Sequence, residues 1–188
     1  MANSNNPNGF TPVRHLAGGI VRMKEYKIAT DTAAAIFSGD MVELLTTGYV
    51  SVGTAASANF LGAFAGCQYT AESGEIVFSK YWPAAQATLG NADAVAFIYD
   101  DPNIVYAVQD SATAAFADNG GLFDLTATAG STSNGRSNQE MDSAASADDF
   151  FRQLGLHEVE GNAWGADGVV EVIIHKHAYT DYAGVDIA

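Results

Sequence analysis

The 188-residue chain carries 8 Lys and Arg against 22 Asp and Glu, a formal net charge of −14, with 48% hydrophobic and only 16% charged residues. That is the composition of one globular domain, long enough to bury a core without covalent staples. So acidic a balance excludes a nucleic-acid surface, which needs cations to neutralise phosphates; the single cysteine, Cys67, excludes an intrachain disulfide or CxxC site, and no apolar run approaches the ~20 residues that span a bilayer.

Cys67 reads as a small buried hydrophobe in a chain made in a reducing compartment. The first twenty residues lack a basic n-region and an apolar h-region, so a soluble protein without a secretory signal is expected. Charge is unevenly spread. Arg14, Arg22, Lys24 and Lys27 against Glu25 give residues 1–27 a charge of +3, and the other 4 basic and 21 acidic residues give the remainder −17.

Residues 1–19 (MANSNNPNGFTPVRHLAGG) are rich in Asn, Pro and Gly without periodicity, and read as an extended N-terminal arm that orders only by lying on something else. The domain proper is expected over 20–180, with a short tail at 181–188. An exposed strand is predicted within Ile20–Ile28, then a turn at Ser38-Gly39-Asp40. Met41–Leu45 and Tyr49–Val52 form a hairpin around Thr46-Thr47-Gly48. Gly62–Tyr69 is a strand of small, close-packing residues, and Glu75–Trp82 is a further strand that Pro83 ends.

Ala94–Tyr99 and Ile104–Gln109 flank Asp100-Asp101-Pro102-Asn103, where Pro102 presets a turn and Asn103 tolerates its second corner. Both runs are apolar on both faces, which predicts a central hairpin covered on each side. Ser111–Asn119 reads as a short helix or a loop. Residues 126–149 are a biased stretch of Ala, Ser, Thr, Gly and Asn, expected to be a loop insertion, either a second clamp or an exposed loop. Phe150–Val159 and Val169–Tyr179 close the domain. Short strands, turn signals and no long amphipathic helix predict an all-β fold, a single β-barrel or sandwich.

Phosphate-loop, dinucleotide and nucleophile-elbow motifs are missing from the sequence. His175 and His177, two apart in a predicted strand, share a face, and His157 in the neighbouring strand offers a third imidazole for a metal site. Strand residues near an edge explain the same three histidines, and that reading is preferred, so neither metal nor cofactor is assigned. The pairs Asp100/Asp101, Asp148/Asp149 and Glu158/Glu160 have acid–base chemistry in principle, but turn and surface roles account for them. Most of the aromatic residues fall on strand positions and belong to the core.

Ile36–Val50 (IFSGDMVELLTTGYV), Leu61–Tyr69 (LGAFAGCQY), the AFIYDDPNIVYAVQ segment and LGLHEVEGNAWG with VVEVIIHKHAY give the chain a general pattern that resembles the capsid decoration (cement) proteins of tailed bacteriophages, over most of residues 20–180. The resemblance implies a non-enzymatic, head-stabilising virion protein, made in the host cytoplasm and placed on the outer surface of the capsid. It implies the major capsid protein and further copies of the chain, as a homotrimer, as partners. On this reading the arm and the start of the domain supply capsid or oligomer contacts through Phe10, Val13, Arg14, Leu16, Arg22 and Lys24. The rival is a metal-dependent β-barrel enzyme or binding protein built on His157, His175 and His177.

Overall fold

The computed structural model describes residues 3–145 and 147–180. In chain order the strands are β1 (Thr11–His15), β2 (Lys24–Ile28), β3 (Ile36–Phe37), β4 (Met41–Leu44), β5 (Val50–Val52), β6 (Gly62–Thr70), β7 (Ile76–Ser79) and β8 (Tyr81–Trp82). They continue as β9 (Ala94–Tyr99), β10 (Ile104–Gln109), β11 (Thr113–Ala114), β12 (Leu122–Thr126), β13 (Glu140–Asp142), β14 (Phe151–Leu156), β15 (Gly165–Ala166) and β16 (Val169–Ile174). Helix is confined to two 3-10 turns among the described residues, and none is long and apolar enough to cross a membrane.

The fold is all-β and sandwich-like, and the sheets do not close into a barrel. Sheet I has the order β1-β10-β16-β14-β12-β13, and sheet II the order β2-β9-β6-β4-β5, with β7 paired to the far half of β6. Two further ribbons are β3–β8, whose Ile36 and Trp82 join one apolar cluster, and β11–β15, whose Ala114 joins the other. Among the described residues these strands pair with one another antiparallel, and single parallel bridges such as Lys27–Tyr49 and Phe60–His177 lie outside the ladders.

Sheet II divides two apolar clusters. Side chains alternate across a strand, so consecutive residues part company: Met41 and Ala63 join the cluster beneath sheet I, with Phe60, Phe150 and Phe151, while Val42 and Phe64 join Ile36, Trp82 and Ile98 on the other side.

The expected central hairpin is the main correction. Both strands exist with the predicted bounds, yet they do not pair. Strand β9 lies between β2 and β6 in sheet II, and β10 lies between β1 and β16 in sheet I. Asp100–Asn103 is therefore an arch that carries the chain across the sandwich. Its corner is tied by hydrogen bonds from Asn103 N–H to Asp101 Oδ1 (2.9 Å) and from Ile104 N–H to the Asp101 carbonyl (3.1 Å). The Tyr106 hydroxyl donates to the Tyr99 carbonyl at 2.8 Å, fastening one sheet to the other.

The described part of the expected arm lies on the domain itself. Residues 11–15 pair with β10 as the edge of sheet I, and Phe10 is 1% exposed, packed on Phe151 at 4.6 Å between ring centroids. Gly9, at φ +67°, lies so close to Gly39 and Ser137 that a Cβ would collide with both. Asn3 grips the Ala163–Ala166 loop with its amide, and the Phe10 N–H donates to the Gly39 carbonyl at 2.8 Å. The expected free loop at 126–149 is likewise bound down. Met141 is fully buried in β13, Gln139 accepts from the Met41 N–H and donates to the Gly53 carbonyl, and Asp124 accepts from the N–H groups of Ala147, Asp148 and Asp149. The tail at 181–188 lies outside the described residues.

Candidate binding surfaces

The three histidines do not converge. β16 ends at Ile174, so the two-residue period that was to put His175 and His177 on one face is lost: His175 is exposed and His177 is completely buried. His177 Nδ1 accepts the Tyr179 N–H at 3.1 Å, and burial pulls its pKa down against the opposing pull of Asp100. His157 instead faces Glu171, Nδ1 to Oε1 at 3.2 Å. Among the described residues no three His, Cys, Asp or Glu side chains are placed to hold a metal ion.

The acidic pairs are dispersed in the same way. Asp100 is buried and accepts the Tyr26 hydroxyl at 2.6 Å, with Lys24 at 3.8 Å, whereas Asp101 holds the turn and His15 (3.3 Å). The hydrogen bond from the Asn103 N–H keeps the Asp101 carboxyl below the usual range. Asp148 and Asp149 sit in a turn held through their backbones, whose N–H groups donate to Asp124. Glu158 and Glu160 are exposed. Cys67 is buried as expected, its thiol pushed up to about 12 by desolvation, which leaves it almost wholly protonated at neutral pH.

Of the arm residues named as contacts, Phe10 is core. Arg14 is engaged with Glu171 through two hydrogen bonds, 2.7 and 3.2 Å, and Lys24 lies over the Tyr26 and Tyr179 rings. Val13, Leu16 and Arg22 remain on the surface.

Sequence reasoning missed the most conspicuous surface, an uncovered face of sheet II. Ala63 and Tyr99 pair across β6 and β9 and point into the core beneath sheet I. Further along the same face the pairs are Gly66–Phe97, then Gln68 between Val95 and Phe78, then Thr70–Ile76, and sheet I no longer lies over them. Phe78 is 71% exposed, Ile76 61% and the adjoining Met23 53%. Met23, Gly66, Phe78, Phe97 and Lys80 line an open groove of about 390 Å³, and at Gly66 the strands approach so closely that a Cβ would meet the Ser79 carbonyl oxygen at 2.8 Å. Strand β7 contributes Ile76 and Phe78 from the alternate positions of an edge, with Lys80 just beyond its end.

Lys80 also opens onto a polar pocket of about 280 Å³ that contains Asn8, Ser38 and Arg136. Among the described residues neither Lys80 nor Arg136 has a carboxylate within 4 Å, although the molecule carries fourteen excess negative charges. The signal for this surface was present in EIVFSK, an alternation with Ile76 and Phe78 on one face. Nothing local says whether that face is inward or outward.

No protein-family model, curated protein or solved structure matches this chain.

Proposed function

We propose that the chain is a non-enzymatic structural protein that binds the outer surface of a tailed-phage capsid and stabilises it by bridging neighbouring subunits, docking through the uncovered face of sheet II. One observation supports the docking face above others: an apolar strip, Ile76, Phe78, Met23 and Phe97, that ends at two cations without carboxylate partners among the described residues. Apolar patches rimmed by polar groups mark interaction sites, and buried aromatic anchors carry most of the binding energy of an interface. The partner that fits is an apolar segment with acidic residues at one end, offered by the major capsid protein. Many copies on a symmetric shell multiply a weak individual contact through avidity. A homotrimer and a place on the virion exterior belong to the same proposal and rest on the family resemblance.

The test is co-sedimentation with shells assembled from the major capsid protein encoded alongside this chain. The wild type pellets with the shells, and Phe78→Asp, at a position that contributes little to the core, fails to do so while keeping its circular dichroism spectrum and melting temperature. Wild-type protein that stays in the supernatant sinks the function, and Phe78→Asp that still pellets sinks the face.

A further inference from the structure

On the opposite sheet, the outward face of sheet I carries a groove that the docking reading does not use. Its floor crosses the strands: Arg14 of β1, opposite Val105 of β10, reaches diagonally to Glu171 of β16, and Glu171 pairs in register with Gly155 of β14. A Cβ on Gly155 would meet nothing within 4 Å, so the missing side chain leaves the groove open beside the Glu171 carboxylate. The wall is aromatic. Phe116, on a 3-10 turn, is 74% exposed and stands nearly perpendicular to Trp164, with ring centroids 6.1 Å apart. Asn119, Leu154, Leu156 and Glu158 complete a lining around about 500 Å³, within the range of small-ligand sites.

We propose that this groove binds a neutral saccharide. A pyranose presents an apolar face of C–H groups and a rim of vicinal hydroxyls. The Phe116–Trp164 corner offers the first an aromatic surface, and the planar groups of Arg14, Glu171, Glu158 and Asn119 offer the second paired donors and acceptors. The lining charge selects against phosphates and acidic sugars, because the guanidinium of Arg14 is already committed to Glu171 by two hydrogen bonds and Glu158 adds a further negative charge. Partial burial pushes the Glu171 carboxyl up, but Arg14 and His157 outweigh it and hold the group ionised at neutral pH, as an acceptor for hydroxyls. Arg14 and His157 fix that carboxylate from both sides, through Oε2 and Oε1 respectively, so the acceptor is oriented before a ligand arrives.

Trp164 reports binding directly, since the only other tryptophan, Trp82, is completely buried in the opposite cluster. Tryptophan fluorescence of the full chain is titrated with maltotriose, cellotriose, triacetylchitotriose and lactose, with sialyllactose as the acidic control. At least one neutral probe gives a saturable change with a Kd of about 1 mM or tighter, and sialyllactose binds about tenfold more weakly. Gly155→Leu fills the floor and Phe116→Ala removes half the wall; each weakens binding about tenfold or more at unchanged melting temperature. Phe116 is exposed, so its variant keeps the test valid should Gly155→Leu fold poorly. A flat response to all four neutral probes overturns the proposal, as does equal affinity for sialyllactose, unchanged affinity in Phe116→Ala, or capture of aromatic peptides by a groove that no sugar fills.

Discussion

Phe10 separates two pictures of the N-terminus, a detachable arm and a part of the core. Its ring is 1% exposed, tilted against Phe151 at 4.6 Å and edge-on to Tyr106 at 6.4 Å. Burying a phenylalanine side chain is worth about 1.5–3 kcal/mol, and each aromatic pairing adds about 0.5–1.5 kcal/mol. Phe10→Ala also leaves a cavity between two packed rings, so the expected loss is about 3–5 kcal/mol. At about 2–4 °C per kcal/mol for a chain of this size, the melting temperature falls by about 6–20 °C. Leu16→Ala, half-exposed and outside both clusters, changes stability by less than about 0.5 kcal/mol and serves as the control. Thermal unfolding followed by tyrosine and tryptophan fluorescence measures both. A Phe10→Ala melt within about 2 °C of wild type would refute the packing argument and restore the arm as an independent segment. Deleting residues 2–19 removes Phe10 and the edge strand β1 together, so it destabilises the domain as well as any contact the segment makes.

Two further substitutions probe the buried carboxylates. Asp40 is 2% exposed, with Oδ2 accepting the Phe37 N–H and Oδ1 without a hydrogen-bond partner among the described residues, and burial raises its pKa to about 6. A raised folded-state value means that its burial costs nothing below the unfolded pKa near 4 and up to about 3 kcal/mol once pH has risen through 6. Asp40→Asn therefore stabilises the protein at pH 7.5 and leaves it nearly unchanged at pH 4, read from urea midpoints; equal shifts at both pH values would contradict the assignment. Asp124→Ala strips the acceptor from three backbone N–H groups and should cost about 3 kcal/mol, with faster proteolysis just before Phe150. A loss under about 0.5 kcal/mol would mean that the 126–149 segment is held by other contacts.

Alternation and turn chemistry made the strands legible. Ala94–Tyr99 and Ile104–Gln109 have the bounds that the apolar runs suggested, and Met41–Leu44 with Val50–Val52 is the hairpin that Thr46-Thr47-Gly48 announced. Pairing was not legible. A four-residue connection with Pro and Asn serves a hairpin and an arch equally well, and what separates them is whether β1 and β16 claim β10 first, a long-range competition. The 126–149 segment misled for a related reason. Its low hydrophobicity hides Met141, Ser137 and Gln139, three buried residues held by contacts with distant Asp110, Gly39 and Met41 neighbourhoods. The histidine constellation failed because a strand end earlier than expected, at Ile174, left His177 turned inward.

The arch also orders the two surfaces. Sheet II presents the docking strip and sheet I the saccharide groove, and the chain passes between them at Asp100–Asn103, through a turn tied at Asp101 and a core fastened by Tyr106 to Tyr99. No residue lines both surfaces. Perturbations at sites this separate add, to within about 0.5 kcal/mol. Phe78→Asp should thus abolish shell binding without altering saccharide affinity, and Gly155→Leu the reverse, so that shell-bound protein retains an empty, accessible groove. Saccharide affinity that changes when the protein is attached to shells would mean that the two sheets move relative to one another on docking, and that the Tyr106–Tyr99 contact is a hinge instead of a fastening.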